Sequence, residues 1–213
     1  MTEIPAGWRM LDAGAGELKY KKFCTHLDYV AQDFGKYDGK GDGKGLHKGR
    51  WDQTKLDIVS DIIAIPELDD SFDAIMCIEV FEHLPDPLLA LKEFSRLLCK
   101  GGKLVLTAPF CSLTHFSPFH FSSGFNTYWH ERHLPEYGLR IVKIEKSGNF
   151  FGYIAQEIRR LPFMVQKYSK RELTFIDKLL LFCFLIFLRK HTKYDNGSNE
   201  MLFYGCHVLA EKI

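Results

Sequence analysis

The sequence predicts an α/β fold, a mostly parallel sheet with helices on both faces. Three observations predict it. Short apolar strand segments alternate with helical ones along the 213 residues. Residues 72–80 (FDAIMCIEV) are apolar on both faces, as a central parallel strand is. The first apolar pair, Met10 and Leu11, runs straight into a glycine turn, Asp12-Ala-Gly14-Ala-Gly16.

The elements follow in order. Met10 and Leu11 end the first strand, and residues 17–24 can start a helix after the turn. Residues 27–34 form a second strand, rich in Tyr and Val. Residues 35–51 carry glycine at 35, 39, 41, 43, 45 and 49 and read as a long loop. Residues 56–62 give a third strand, 66–71 a turn and 72–80 the fourth strand. Asp86 is a suitable N-cap with Pro87 at the first helical position. Leu88, Leu91, Phe94, Leu97 and Leu98 then recur at helical spacing until Gly101 and Gly102 stop the helix. Residues 103–110 and 141–146 are the fifth and sixth strands. Residues 153–190 read as helical with a break at Pro162, followed by a polar loop (194–200) and a last strand, 202–210.

Composition bounds the function. At this length the chain reads as one domain, 1–213, with 153–190 as a helical insertion, a lid or a dimer surface. Lys+Arg is 28 against Asp+Glu 27, a net charge of +1. That balance argues against a nucleic-acid binder driven by counterion release. Apolar residues at 46% and charged ones at 26% exclude a disordered or fibrous chain. The six cysteines, without a CxxC pair, read as buried reduced thiols in a cytoplasmic protein. The start of the sequence shows no signal-peptide pattern. Residues 179–188 (LLLFCFLIFL) are half as long as a membrane span. Being apolar all round, they favour a core or homodimer contact, with peripheral membrane contact as the other reading.

The chemistry starts at strand ends. Glycines at 14 and 16 let a ligand approach the backbone at a turn. Lys19 stands where a nicotinamide-cofactor fingerprint needs glycine. Asp12 and Glu17 flank the turn, which disfavours a pyrophosphate and suits a ligand carrying an ammonium group. Asp33 ends the second strand, where a carboxylate can accept two hydrogen bonds from a ribose diol. Asp61 ends the third, placed to read an adenine edge. Each is an ordinary turn or strand-end residue when taken alone. Three acids at three successive strand ends form a stronger pattern, because ligands bind at those ends.

These residues resemble a known family. LDAGAG (11–16), DYVAQDF (28–34), DIVSDIIAIPELDDSFDAIMCIEVFEHLPDP (57–87) and LKEFSRLLCKGGKLVLTAPF (91–110) are similar to the class I S-adenosylmethionine-dependent methyltransferases, in particular the small-molecule type 11 branch. The resemblance covers about residues 10–148 and, more loosely, the last strand. It implies a Rossmann-like seven-stranded sheet whose last strand is antiparallel, and S-adenosyl-L-methionine as methyl donor, leaving S-adenosyl-L-homocysteine. It also implies that Asp12, Gly14 and Gly16 shape the methionine and ribose pocket, that Asp33 binds the ribose hydroxyls, and that Asp61 and Ile62 contact adenine. Cys77, Ile78 and Glu79 would lie along the methionine part, with His83 following. Two departures stand out. Only nine residues precede Met10, so one flank of the donor pocket is expected to be open or covered by a partner. The glycine-rich loop is long and is expected to fold over the adenosine.

Residues 109–133 (PFCSLTHFSPFHFSSGFNTYWHERH) supply the acceptor side. His115 or His120 is the candidate base or orienting group for an oxygen nucleophile. His83, Phe119, Tyr128 and Trp129 are candidate substrate-binding residues. A packed aromatic loop with satisfied histidines is the plainer reading of any one of them. No zinc or calcium spacing is present, so no metal is expected. The leading reading is in-line methyl transfer to a small acceptor such as a sugar or other ring compound. The alternatives are a catalytically silent binding module of the same fold and, less favoured, a nicotinamide-dependent oxidoreductase.

Overall fold

The computed structural model describes residues 4–47, 49 and 51–213. It holds a seven-stranded sheet in the order β3-β2-β1-β4-β5-β7-β6. The strands are β1 (Arg9–Ala13), β2 (Asp28–Asp33), β3 (Ile58–Val59), β4 (Phe72–Ile78), β5 (Leu98–Pro109), β6 (Leu139–Ser147) and β7 (Gly205–Lys212). The pairs β1–β2, β1–β4, β2–β3 and β4–β5 are parallel, and β7 pairs with β5 antiparallel, in the Rossmann-like arrangement. Their register puts the carboxyl ends of β1, β2 and β4 along one edge, because Asp12 stands opposite both Ala31 and Met76.

The core follows the apolar pattern. Ile75 and Cys77 of β4 are fully buried, as are Leu104 and Leu106 of β5. Helix α1 (Pro87–Leu97) buries Ala90, Leu91, Phe94 and Leu97, the face that its spacing marks out. Asp86 caps it by accepting from the Leu88 N–H at 3.0 Å, a contact worth about 1 kcal/mol. Phe81 stacks on Phe94 and meets Phe125 and Trp129 edge-on.

Several local expectations are corrected. Residues 17–24 do not start an α-helix; a turn and a single 3-10 turn, Lys21–Phe23, stand there. The third strand keeps only two paired residues. Helix α1 ends at Leu97, before the glycines, because Leu98 already adopts an extended conformation and opens β5. Gly101 and Gly102 lie inside β5. Seven residues of the aromatic segment fold as helix α2 (Thr127–His133), capped by Asn126.

The chain forms two compact units. One is the chain up to Glu145 with Gly205–Ile213; the other is Lys146–Tyr204. The second unit contains α3 (Phe150–Met164) and α4 (Phe175–Lys193). Pro162 does not break α3; the chain turns later, where Lys170 takes a left-handed conformation. Helix α4 starts from a capping box between Thr174 and Asp177. The core reading of 179–188 does not hold. Leu180, Phe182, Phe184, Ile186 and Phe187 are 44–63% exposed, and within α4 only Leu188 is buried. No helix among the described residues is long and apolar enough to cross a membrane.

Candidate functional site

A cavity of about 500 Å³ opens at the carboxyl ends of β1, β2 and β4, a size that holds a nucleoside-sized ligand. Gly14, Gly16, Asp33, Asp61, Ile62, Glu79, His83 and Phe119 are among its lining residues. Of the other sequence-predicted residues, Asp12, Cys77, His115, His120, Tyr128 and Trp129 do not line it.

Gly14 ends β1 at φ +80°, and a Cβ there would stand 2.5 Å from Val80 Cγ2. Only glycine lets the turn lie this close to the end of β4. The Gly16 N–H donates to Asp33 Oδ2 at 3.0 Å, so the turn and the tip of β2 are held together. Asp33 Oδ1 accepts from the Gly35 N–H at 3.0 Å and from Gln53 Nε2 at 2.9 Å. Burial pushes the Asp33 carboxyl up from its ordinary value, and the backbone donors of Gly35 and Gly16 hold it back. Asp61 is exposed at the cavity edge, while Ile62 is buried. Glu79 follows β4 with a left-handed backbone and accepts from the Thr107 hydroxyl at 2.8 Å.

Asp12 has a different position. It is 1% exposed and accepts a hydrogen bond from the Tyr29 hydroxyl. Burial raises its pKa to about 6. Cys77 is fully buried in β4, and burial raises its thiol well above the usual value. Tyr128 is 75% exposed on α2, and Trp129 packs against Phe125 at 4.7 Å.

The glycine-rich loop closes one wall. The Leu46 N–H donates to Thr114 O at 3.0 Å, Phe116 returns a bond to Leu46 O at 3.1 Å, and the Asp42 N–H donates to Ser117 O at 3.1 Å. A Cβ on Gly41 would lie 1.8 Å from that Ser117 oxygen, so a glycine is required for the two backbones to meet. The contact brings Tyr37, Trp51 and Phe116 into one aromatic cluster lining the cavity. Sequence reasoning did not single out Trp51, Tyr37 or Phe34; the aromatic character of residues bounding a glycine tract was the available signal. The buried Trp51 indole N–H has no hydrogen-bond partner among the described residues. A donor nucleoside would find here an unpartnered N–H, a carboxylate at a strand tip and aromatic faces, so the residues present fit it.

Beside the cavity three imidazoles cluster. His83 and His115 ring centres lie 4.6 Å apart, and those of His115 and His120 4.8 Å apart. His83 Nδ1 donates to Phe119 O, and His115 Nδ1 to Leu113 O at 2.8 Å. His120 Nε2 meets the Ser112 hydroxyl at 3.1 Å. Glu82, 1% exposed, lies beneath His83 and His115, with Oε1 at 3.6 Å from each Nε2. Burial lowers the pKa of His83 and of His120. Burial also disfavours charging His115, but Glu82 and Glu79 outweigh it and its pKa is raised.

Comparison with known proteins agrees with this geometry. Residues 11–106 match the family model described as a methyltransferase domain. The chain is 34% identical over 106 residues to a ubiquinone biosynthesis O-methyltransferase of Xanthomonas axonopodis pv. citri, covering 48% of this chain and 44% of that one. It is 32% identical over 160 residues to a demethylmenaquinone methyltransferase of Renibacterium salmoninarum, covering 73% of this chain and 61% of that one. The match thus spans less than two thirds of either relative. Among solved structures, a phosphoethanolamine N-methyltransferase 2 of Haemonchus contortus, in complex with S-adenosyl-L-methionine, superposes with a TM-score of 0.54 at 16% identity. That match covers 98% of this chain and 49% of that one, and it supports the fold. Fold, strand-end cleft and the methyltransferase-domain match over residues 11–106 all point to the class I S-adenosylmethionine-dependent methyltransferases.

Proposed function

We propose that the chain transfers a methyl group from S-adenosyl-L-methionine to a hydroxyl of a small ring compound. The observation that carries this reading is the single cavity that gathers Gly14, Gly16, Asp33, Asp61 and Ile62 on one side and Phe116, Phe119 and His83 on the other. When bound, the donor supplies a sulfonium-activated methyl group. The chain's task is to hold donor and acceptor in line and to exclude water. Asp33 holds the ribose, Asp61 and Ile62 bracket the adenine, and Glu79 faces the sulfonium-bearing arm. Asp12 and Cys77, both buried, support that pocket from within the sheet. His120 takes the acceptor's proton and His115, beside it, orients the acceptor next to Phe119 in the cavity wall, with Trp129 packed behind on Phe81 and Phe125. Tyr128, exposed on α2, contacts the acceptor's outer end.

A ring acceptor is favoured by the aromatic lining and by relatives named for ubiquinone and demethylmenaquinone methylation. The exposed apolar residues of α4, with Lys178 at one end and Arg189 and Lys190 at the other, suit a lipid surface presenting an apolar-tailed acceptor. A silent binding module of the same fold would bind the donor without turnover. Radiolabelled donor, incubated with ring hydroxyl acceptors in buffer and in vesicles, tests the proposal. Labelled product is expected, and His120→Ala slows its formation by about 10²-fold or more with donor affinity unchanged. Absence of product with every acceptor, or turnover in His120→Ala equal to the parent, contradicts it.

A further inference from the structure

We propose that Glu82, His83 and His115 bind a divalent transition-metal ion beside the donor cavity. One ligand atom from each residue lies within 4.8 Å of the other two. Their hydrogen bonds fix what those atoms can do. In the neutral rings Nδ1 of His83 and Nδ1 of His115 each carry the proton, because each donates to a backbone carbonyl. Both Nε2 atoms are therefore acceptors. They face Glu82 Oε1 at 3.6 Å, too far for a hydrogen bond. Glu82 Oε2 and His83 Nε2 are buried and have no hydrogen-bond partner among the described residues. With both rings neutral, two lone pairs and a buried carboxyl group thus converge with no donor between them, and unpaired buried polar groups are costly.

A cation resolves the conflict. Ligands about 2.1 Å from a common ion stand about 3.0–3.4 Å from one another, so the two 3.6 Å Glu82–imidazole gaps close by a few tenths of an ångström while the imidazole nitrogens, within 4.8 Å of each other, draw together around the ion. Carbonyl acceptors on the far ring nitrogens are the arrangement that orients metal-binding imidazoles. Two nitrogens and one carboxylate favour manganese, iron, cobalt, nickel or zinc over the all-oxygen sites of calcium and magnesium. Linear spacing hides the site, because His115 comes from a different segment than Glu82 and His83.

Three protein ligands leave positions open on the ion, and His83 is shared between this cluster and the cavity lining. In the transfer reaction the ion would bind the acceptor oxygen and lower that hydroxyl's pKa. The proton passes to His120 or solvent. The oxygen–carbon bond then forms as the carbon–sulfur bond breaks, and the sulfonium becomes a thioether. This role rests on the methyltransferase reading; binding of the ion does not.

The test uses the full chain stripped with chelator. Mn²⁺ is titrated by loss of its free electron-paramagnetic signal, and Co²⁺ by its visible absorption. S-adenosylhomocysteine is titrated separately by calorimetry. One equivalent of ion is expected, with Glu82→Gln and His115→Ala each weakening it at least tenfold. Retained S-adenosylhomocysteine binding shows that each variant is folded, and His115→Gln serves if His115→Ala is not. No stoichiometric ion on the parent chain, or equal affinity in folded variants, overturns the proposal. It would leave a proton shared between His115 and Glu82 as the cluster's only cation. Ion binding without S-adenosylhomocysteine binding would sustain the site and refute the methyltransferase reading.

Discussion

Replacing Asp33 with alanine is expected to weaken S-adenosylhomocysteine binding by about 10- to 100-fold. The reason lies in the carboxylate's free capacity. Asp33 accepts from the Gly16 N–H on Oδ2 and from the Gly35 N–H and Gln53 on Oδ1. A carboxylate offers about four acceptor sites, and the Gln53 amide can yield its own to a ribose hydroxyl. Hydrogen bonds to a charged group are worth about 1.5–3 kcal/mol, and each 1.4 kcal/mol is tenfold in affinity. The substitution also strands the Gly16 and Gly35 N–H groups at the turn. Asp33→Asn separates the two effects, since its amide oxygen still accepts one of those bonds and its charge is lost. Calorimetric titration of both variants, with melting temperatures as a fold check, measures this. Parent affinity in a folded Asp33→Ala protein would remove Asp33 from the ribose contact.

His130 governs the second large effect, on stability in acid. Its ring is fully buried on α2, both ring nitrogens lack hydrogen-bond partners among the described residues, and burial alone lowers its pKa from 6.5 to about 4. An unfolded chain takes up a proton below about pH 6.5 that the native ring refuses until about pH 4. Stability is therefore lost as pH falls from 6.5 to 4. A shift of this size corresponds to about 3 kcal/mol across that window. Asp12 acts with the opposite sign. Its pKa is raised to about 6, so it binds a proton in the native state first, and its contribution falls as pH rises from 3.8 to 6. The two nearly cancel in the parent protein. The observable is thus the difference between the parent and His130→Phe in urea unfolding at pH 7.5 and 4.5. The variant is expected to gain about 2–3 kcal/mol relative to the parent on acidification. A pH-independent difference would mean that His130 is not held neutral by burial.

What the sequence revealed and what it hid divide along physical lines. Periodicity and capping are local, so β4, β5 and the start of α1 at Asp86 are legible in the sequence. The places of Asp33 and Asp61 in a strand-end cleft were legible because ligand clefts of parallel sheets open at strand ends. Contacts between distant backbones were not. Gly41 against the Ser117 carbonyl is what converts a glycine tract into a cavity wall, and no pattern in 35–51 records that partner. The Glu82–His83–His115 cluster likewise depends on where the segment after β5 returns, fixed by Phe121 and Ser122 N–H groups donating to Glu82 O. The helix expected at 17–24 is a turn because Leu18 takes a left-handed backbone conformation, and Tyr20 and Cys24 still pack onto the core beside Met10 and Met76. Helix α4 shows the reverse: its apolar run formed a helix, but a two-helix unit has too little surface to bury it on all sides.

The central claim is that carboxylates at neighbouring strand tips hold an adenosyl sulfonium compound rather than a dinucleotide. Parallel calorimetric titrations of the parent chain with S-adenosylhomocysteine and with NADH test it most directly. The account predicts one-to-one binding of S-adenosylhomocysteine and no measurable binding of NADH. Saturable NADH binding with no heat from S-adenosylhomocysteine would contradict it.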